Sequence, residues 1–421
     1  MKTKVSLLFL LISAGLMAQE SLSLFECHQL AIENAPRQKD RELIQEIGNL
    51  KTDQAASNWY PSLDLNGKVS YQSDVVTITL ANEDIPVKFP EVPHDQYGFN
   101  LDISQTIYDG GMIKHMKNYE QAAIAADIQQ VEVDLYGLKG KVNQYFFAIL
   151  ALQENRKNLE VHMETLMARH EVVSLAIDQG AMLKSELKVI QVEVLKVRQS
   201  MLEVDSRKKS FLDALQVLCG EQIHEGVVLE HPRFEAVEGM ETVRPEYRLF
   251  DLKNASMEAG KELIGRKRMP VLFAYGQTGY GKPGYNMMSG EWDFYYMLGA
   301  GLRWNIWDWN SSNRERQLIE QKQLILENQR SAFDRELEAL RVQEEANIEQ
   351  YKKSMMLEEE VLKLQEEISS DAALKLEHGT ITATEYISEL NKESISRINL
   401  AMHQVNLMKS YATYLNLLGN L

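Results

Sequence analysis

The sequence predicts a mixed α and β membrane protein built from two structural repeats, each a β-hairpin joined to long antiparallel helices. Three observations predict it. Landmarks recur at one spacing: Ile107 and Ile306, Gly180 and Gly379, and Gly220 and Gly419 are each 199 residues apart. Two long proline-free runs, 111–179 and 311–378, keep a helical period. Ahead of each run lie two segments in which the period falls to two. A fixed offset without gaps is an internal duplication. Upstream of Ile107 the offset is 209, from Pro36 to Pro245 and from Pro61 to Pro270. The ten extra residues of the first copy therefore lie between Pro61 and Ile107, where a loop absorbs length most easily.

The ends and the composition narrow the class. Residues 1–18 read as a secretory signal: Lys2 and Lys4, an apolar core from Val5 to Ile12, then Ala14, Gly15 and Ala18 before Gln19. No later apolar stretch is long enough to span a bilayer as a helix, so a membrane crossing has to be made by strands. A net charge of −16 argues against a nucleic-acid partner. The two cysteines, Cys27 and Cys219, read as buried thiols at helical ends, with a disulfide as the alternative in an oxidising compartment.

The first repeat spans 19–220. Leu24, Cys27, Leu30, Ala31 and Ala35 recur at helical spacing, Pro36 breaks the run, and a second helix continues to about Asn58. A hairpin is expected over 61–107. Leu63, Leu65, Val69 and Tyr71 alternate with Asp64, Asn66, Lys68 and Ser70. After a polar, proline-bearing loop, Tyr97, Phe99, Leu101, Ile103 and Ile107 alternate with Gly98, Asn100, Asp102 and Ser104. The long helix, 111–179, carries a stripe of Tyr145, Ile149, Leu152, Leu159, Met163, Leu166, Val173 and Ile177, interrupted by Arg156 and His170. That spacing implies coiled-coil packing. Gly180 stops the helix, and a return helix runs over 185–218.

A linker without clear period, 221–242, joins the second repeat, 243–421. There a helix precedes a hairpin over 270–307, whose last strand alternates Trp292, Phe294, Tyr296, Leu298, Ala300, Leu302, Trp304 and Ile306 with smaller or polar residues. A long helix over 311–378 ends at Gly379, and a return helix covers 384–418. Aromatics gather at the strand ends nearest the helices: Trp59, Tyr60 and Tyr108 in one copy, Trp304, Trp307 and Trp309 in the other. Aromatic girdles at a water–lipid boundary have this placement. Four strands cannot close a barrel, and open edges are not tolerated in lipid, so several chains must share one barrel with a polar lumen.

These residues resemble the TolC-type outer-membrane efflux proteins. The resemblance rests on the order of signal, helix, Trp59-Tyr60-Pro61-Ser62-Leu63 strand, long loop, Gln105-Thr106-Ile107-Tyr108-Asp109-Gly110-Gly111, long helix and glycine turn. A second Pro270-Val271-Leu272 strand and the Asn305-Ile306-Trp307-Asp308 turn complete it, so it covers nearly the whole chain after the signal. It implies a homotrimer with a twelve-stranded β-barrel, four strands per chain, continued by a periplasmic α-helical barrel. It also implies an exit duct in the outer membrane that works with a periplasmic adaptor and an inner-membrane transporter of RND, ABC or MFS type, with no cofactor. The turns at Gly180 and Gly379 then form the periplasmic tip, and Glu385 and Glu186, six residues after each glycine, match acidic positions that constrict the pore. Ser388 stands where the family has a second acid, and Ile381 where an arginine can hold the tip shut.

No enzyme signature competes: the sequence has no nucleotide-binding glycine loop, no His-Glu-x-x-His and no nucleophile elbow. Two other classes remain as alternatives. A periplasmic adaptor also carries helical hairpins, but with soluble β-domains around one hairpin. A secreted coiled-coil protein leaves the alternating, Trp-flanked hairpins without a purpose.

Overall fold

A computed structural model describes residues 21–77, 91–234 and 241–421. The signal segment 1–18 lies outside these, as do parts of the expected loop and of the linker 221–242. The described chain runs β1 (Ser21–Leu22), α1 (Leu24–Glu33), α2 (Asp40–Ser57), β2 (Ser62–Tyr71), β3 (Asp95–Tyr108), α3 (Met112–Asp178) and α4 (Lys184–Cys219). It continues with β4 (Val228–Leu229), α5 (Pro245–Arg266), β5 (Val271–Lys282), β6 (Asp293–Arg303), α6 (Ser311–Glu377) and α7 (Ala383–Leu418). The duplication is visible in lengths alone: α3 and α6 both have 67 residues, and α4 and α7 both have 36. No described helix is long and apolar enough to cross a membrane.

The chain divides into two compact units, and each draws on both repeats. One comprises Lys39–Gln130 and Glu246–Ala332; the other comprises the residues up to Gln38, Val131–Pro245 and Phe333–Leu421.

The first unit holds a four-stranded antiparallel sheet in the order β2-β3-β5-β6. Its register aligns the alternation of all four strands. Asp64 faces Asp102, which faces Gln277, which faces Met297; one position along, Leu63 faces Ile103, then Gly276, then Leu298. One face is therefore continuously apolar and the other largely polar. Among the described residues the apolar face is left largely uncovered: Leu65 is 77%, Val69 75% and Leu298 79% exposed.

One strand expectation is corrected, and one strand carries an irregularity that alternation does not contain. The last strand stops at Arg303, so Trp304, Ile306 and Trp307 lie beyond it. Its partner β5 begins at Val271, directly after Pro270, which has no N–H to extend the ladder. In β3 a bulge at Ile107 shifts the register, so that Thr106 pairs with Phe273 and Tyr108 with Leu272. Simple alternation puts Tyr108 on the polar face. The extra residue turns it to the apolar one.

The second unit is helical with two apolar cores. In one, Leu24, Cys27 and Ala31 of α1 pack on Phe146 and Leu150 of α3 and on Leu215 of α4. Cys27 and Cys219 are both fully buried free thiols, and the Cys219 thiol lies 3.7 Å from the Cys27 carbonyl. The other core lies near the helix turns, where Leu166, Val173 and Ile190 meet Leu376, Tyr386 and Leu390. The polar interruption at Arg156 is satisfied by Asp205 at 3.0 Å and Glu160 at 2.6 Å. The linker region holds an element its composition did not reveal: Val228 and Leu229 of β4 pair in parallel with Ser21 and Leu22 of β1. The apolar run Val227-Val228-Leu229 was its only local signal.

Candidate functional site

The polar sheet face is built around one carboxylate. Asp102 Oδ2 accepts from Asn66 Nδ2 and Asn100 Nδ2, both at 2.7 Å, and its Oδ1 accepts from Gln277 Nε2 at 2.6 Å. The donors come from β2, β3 and β5, so the network ties three strands across both repeats. Further along the same face aromatic rings lie on glycines. Tyr295 covers Gly279, Tyr275 covers Gly299 and Phe273 covers Gly301; a Cβ at any of the three would come within 2.6 Å of the ring. These glycines make room for rings flat against the backbone.

Strand passes to helix through a turn that both repeats build alike. Asp109 Oδ1 accepts from the Gly111 N–H at 2.8 Å and Oδ2 from the Ile113 N–H at 2.7 Å. Asp308, 199 residues later, accepts from the Asn310 N–H at 3.1 Å and the Ser312 N–H at 3.0 Å. Each aspartate supplies the first orphan donors of a long helix. The Ser312 hydroxyl and N–H hold the Asp308 carboxyl below its ordinary range. The turn needs two successive left-handed residues. The first copy uses Gly110 and Gly111, and the second uses Trp309 (φ 53°) and Asn310 (φ 65°). A tryptophan there is strained, and the result is that Trp309, 79% exposed, meets Trp307 edge to face at 6.0 Å. Trp59, Tyr60, Tyr108 and Trp304 are exposed as well. The Trp304 indole is anchored on the Arg268 carbonyl at 3.1 Å.

At the far ends of the long helices, the glycine stops are also duplicates. The Gly180 N–H donates to the Ile177 carbonyl and the Ala181 N–H to that of Ala176; Gly379 and Thr380 do the same to Leu376 and Lys375. With Gly180 at φ 75° and Gly379 at φ 70°, both are Schellman caps.

The return helices then diverge. Thr382 caps α7 in a full capping box: its hydroxyl accepts from the Glu385 N–H, and its own N–H donates to Glu385 Oε2 at 2.8 Å. Those bonds hold the Glu385 carboxyl below its usual range. The matching residue of the first copy is Leu183, which makes no side-chain cap. Glu186 reaches across instead, and its Oε2 accepts from the Ala383 N–H at 2.6 Å.

A model of the outer membrane efflux protein family matches residues 28–221. The fold is that of VceC from Vibrio cholerae, with TM-score 0.68, 11% identity, and 94% of this chain and 96% of that chain covered. It is equally that of the open state of the MtrE outer membrane channel of Neisseria gonorrhoeae, with TM-score 0.68, 13% identity, and 94% and 88% covered. Residues 28–221 match the outer membrane efflux protein family, and the chain carries the fold of solved outer membrane channels. No curated protein sequence matches it. This efflux protein is a channel-tunnel of the outer membrane that extends into the periplasm and serves multi-component pumps.

Of the residues read from the sequence of this efflux protein, the six aromatics share the sheet-bearing unit, and Glu186, Glu385, Gly180 and Gly379 share the helical one. Two groups escaped that reading. One is the Asp102 network, because alternation marks a face but not which of its polar residues meet. The other is a polar cluster inside the helical unit. Glu193, 9% exposed, accepts from Asn391 Nδ2 at 3.0 Å and Lys196 Nζ at 3.2 Å, beside His162, whose protonation burial disfavours. His162 and Glu193 break apolar stripes on α3 and α4, which was their only signal.

Proposed function

We propose that three copies of this chain close one twelve-stranded barrel, with the Asp102 face lining water and the Leu65–Leu298 face against lipid, and that the helices continue the duct into the periplasm. One observation carries the reading: an apolar sheet face left largely exposed, on a sheet whose outer strands β2 and β6 each lack a second neighbour among the described residues. In water such a face and such edges invite aggregation. In a bilayer the face is solvated by lipid, and the edges are satisfied only by closure with further copies. Bacterial barrels begin at 8 strands, which excludes closure by a single chain.

Family members work as trimers with adaptor proteins and inner-membrane pumps. Here the adaptor docks at the tip formed by the turns at Gly180 and Gly379, and an RND, ABC or MFS transporter supplies the energy. Glu186 and Glu385 form the acidic constriction at that tip, each with its Oε2 committed to the first turn of α7. Trp59, Tyr60, Tyr108, Trp304, Trp307 and Trp309 anchor the barrel at the periplasmic lipid boundary.

The test is the mass of the detergent-extracted protein before and after heating. A three-chain species from the outer-membrane fraction that collapses to one chain on boiling is the expected result. A water-soluble monomer overturns the reading.

A further inference from the structure

The connection between β5 and β6 does not extend away from the sheet. Residues 283–292 turn back on a short loop closed by the Ser289 N–H on the Asn286 carbonyl at 3.0 Å and the Met288 N–H on Asn286 Oδ1 at 3.3 Å. Tyr285, near its start, lies over the polar face. Its ring meets that of Tyr295 with centroids 4.5 Å apart, and its hydroxyl donates to Gln277 Oε1 at 2.9 Å. The other oriented contact of Gln277 is its Nε2 bond to Asp102, so the loop is joined to the strands through Tyr285, Gln277, Asp102 and the two asparagines. At the loop's other end Trp292 turns the opposite way. It stacks on Tyr280 at 5.2 Å, and Tyr280 pairs with Phe294 on the apolar face.

We propose that this loop is an inward strap that narrows the outer mouth of the duct, latched by Tyr285 on the Gln277–Asp102 relay. The inference rests on the reading of the Asp102 face as the lumen. Gln277 fixes the polarity of the latch. Its amide nitrogen is turned to the carboxylate, which leaves its oxygen as the acceptor for a hydroxyl arriving from the loop. Gly279 completes the seat, because it lets the Tyr295 ring lie low enough for Tyr285 to pack on it. One neutral hydrogen bond and one ring contact hold the strap, so it opens and recloses thermally rather than sealing the duct. In a trimer the latch occurs three times around one lumen. It sets a size limit at the outside end, distinct from the constriction at the helical tip.

Single-channel conductance of the purified oligomer in a planar bilayer tests this. Tyr285→Ala raises the conductance, on the order of 1.5-fold, because pore width governs ion flow, and reduces brief closures. Tyr285→Phe moves it in the same direction by less, since it removes only the hydrogen bond to Gln277 and keeps the ring. Met287→Ala, in the same loop but outside the relay, leaves it at the wild-type value. Each variant is checked for heat-modifiable migration, so that misassembly is not read as opening. Equal conductance for wild type and Tyr285→Ala overturns the strap and leaves the channel reading intact. So does a rise in Met287→Ala as large as that in Tyr285→Ala. A wild-type protein that forms no channels at all overturns the channel reading, and the strap with it.

Discussion

Glu186, in the first turn of α4, accepts a hydrogen bond at 2.6 Å from the backbone N–H of Ala383, the first residue of α7. The two residues belong to different repeats, and the bond ties the two return helices beside the turns. It exists because the copies have diverged at one position. Thr382 caps its own helix, whereas Leu183 cannot, so Glu186 serves the neighbouring helix instead.

Ala383 is fully buried, so Glu186→Ala leaves its N–H without this acceptor. A loss of roughly 1–3 kcal/mol follows. Glu385→Ala removes half of a capping box and destabilises the start of α7 by less. Both carboxylates serve the first turn of α7, so the double variant departs from additivity. Urea unfolding of the helical signal in detergent measures all three. A Glu186→Ala protein as stable as wild type rules out the cross-repeat cap. If the same carboxylates constrict the pore, Glu385→Gln also weakens cation selectivity in bilayers.

Gly180→Ala and Gly379→Ala each destabilise by about 1–2 kcal/mol, the cost of a Cβ in the left-handed region. Nothing lies within 4 Å of the added atom at either position, so the penalty is one of backbone alone. Gly110→Ala is worse, because its Cβ falls 2.3 Å from Met269 Cβ. Thermal melting that ranks Gly110→Ala with the other two contradicts the clash.

Trp309 and Asn310 occupy the backbone conformation that glycines hold in the first repeat. Asn310→Gly relieves the turn by up to about 1 kcal/mol and leaves membrane assembly unchanged. Trp309→Gly relieves the same turn but removes an interfacial ring, so the oligomer in detergent is as stable as wild type or more so, while the assembled fraction in outer membranes falls. Unchanged assembly shows that the strained tryptophan is not an anchor.

His28 is buried, and its ring Nε2 is 2.7 Å from Asn143 Oδ1. Burial lowers its pKa to about 4, against the partial compensation of the Asn143 bond. The neutral ring is the folded form. Its stabilisation is fully present above the unfolded value of about 6.5 and is lost as pH falls toward 4. Over that window the helical unit loses about 3 kcal/mol, at 1.36 kcal/mol per unit. His28→Gln flattens this part of the pH profile. Parallel profiles for the two proteins locate the acid sensitivity elsewhere.

The sequence alone carried the architecture of this protein. A 199-residue offset revealed the duplication, and periods of two and of 3.6 separated strands from helices. The aromatics flanking each hairpin pointed to a lipid boundary. These signals are local or repeated, so they survive without any knowledge of which residues meet. Tertiary structure decided the rest. The bulge at Ile107 turned Tyr108 onto the apolar face, which no alternation rule contains. Pairing of β3 with β5 brought Gln277 to Asp102, 175 residues apart, and packing of the two return helices brought Glu186 to Ala383, 197 apart. The pairing of β1 with β4 likewise gave the linker a strand that its composition did not announce. A hydrogen bond depends on sub-ångström placement of groups distant in the chain, and only the folded backbone fixes that placement.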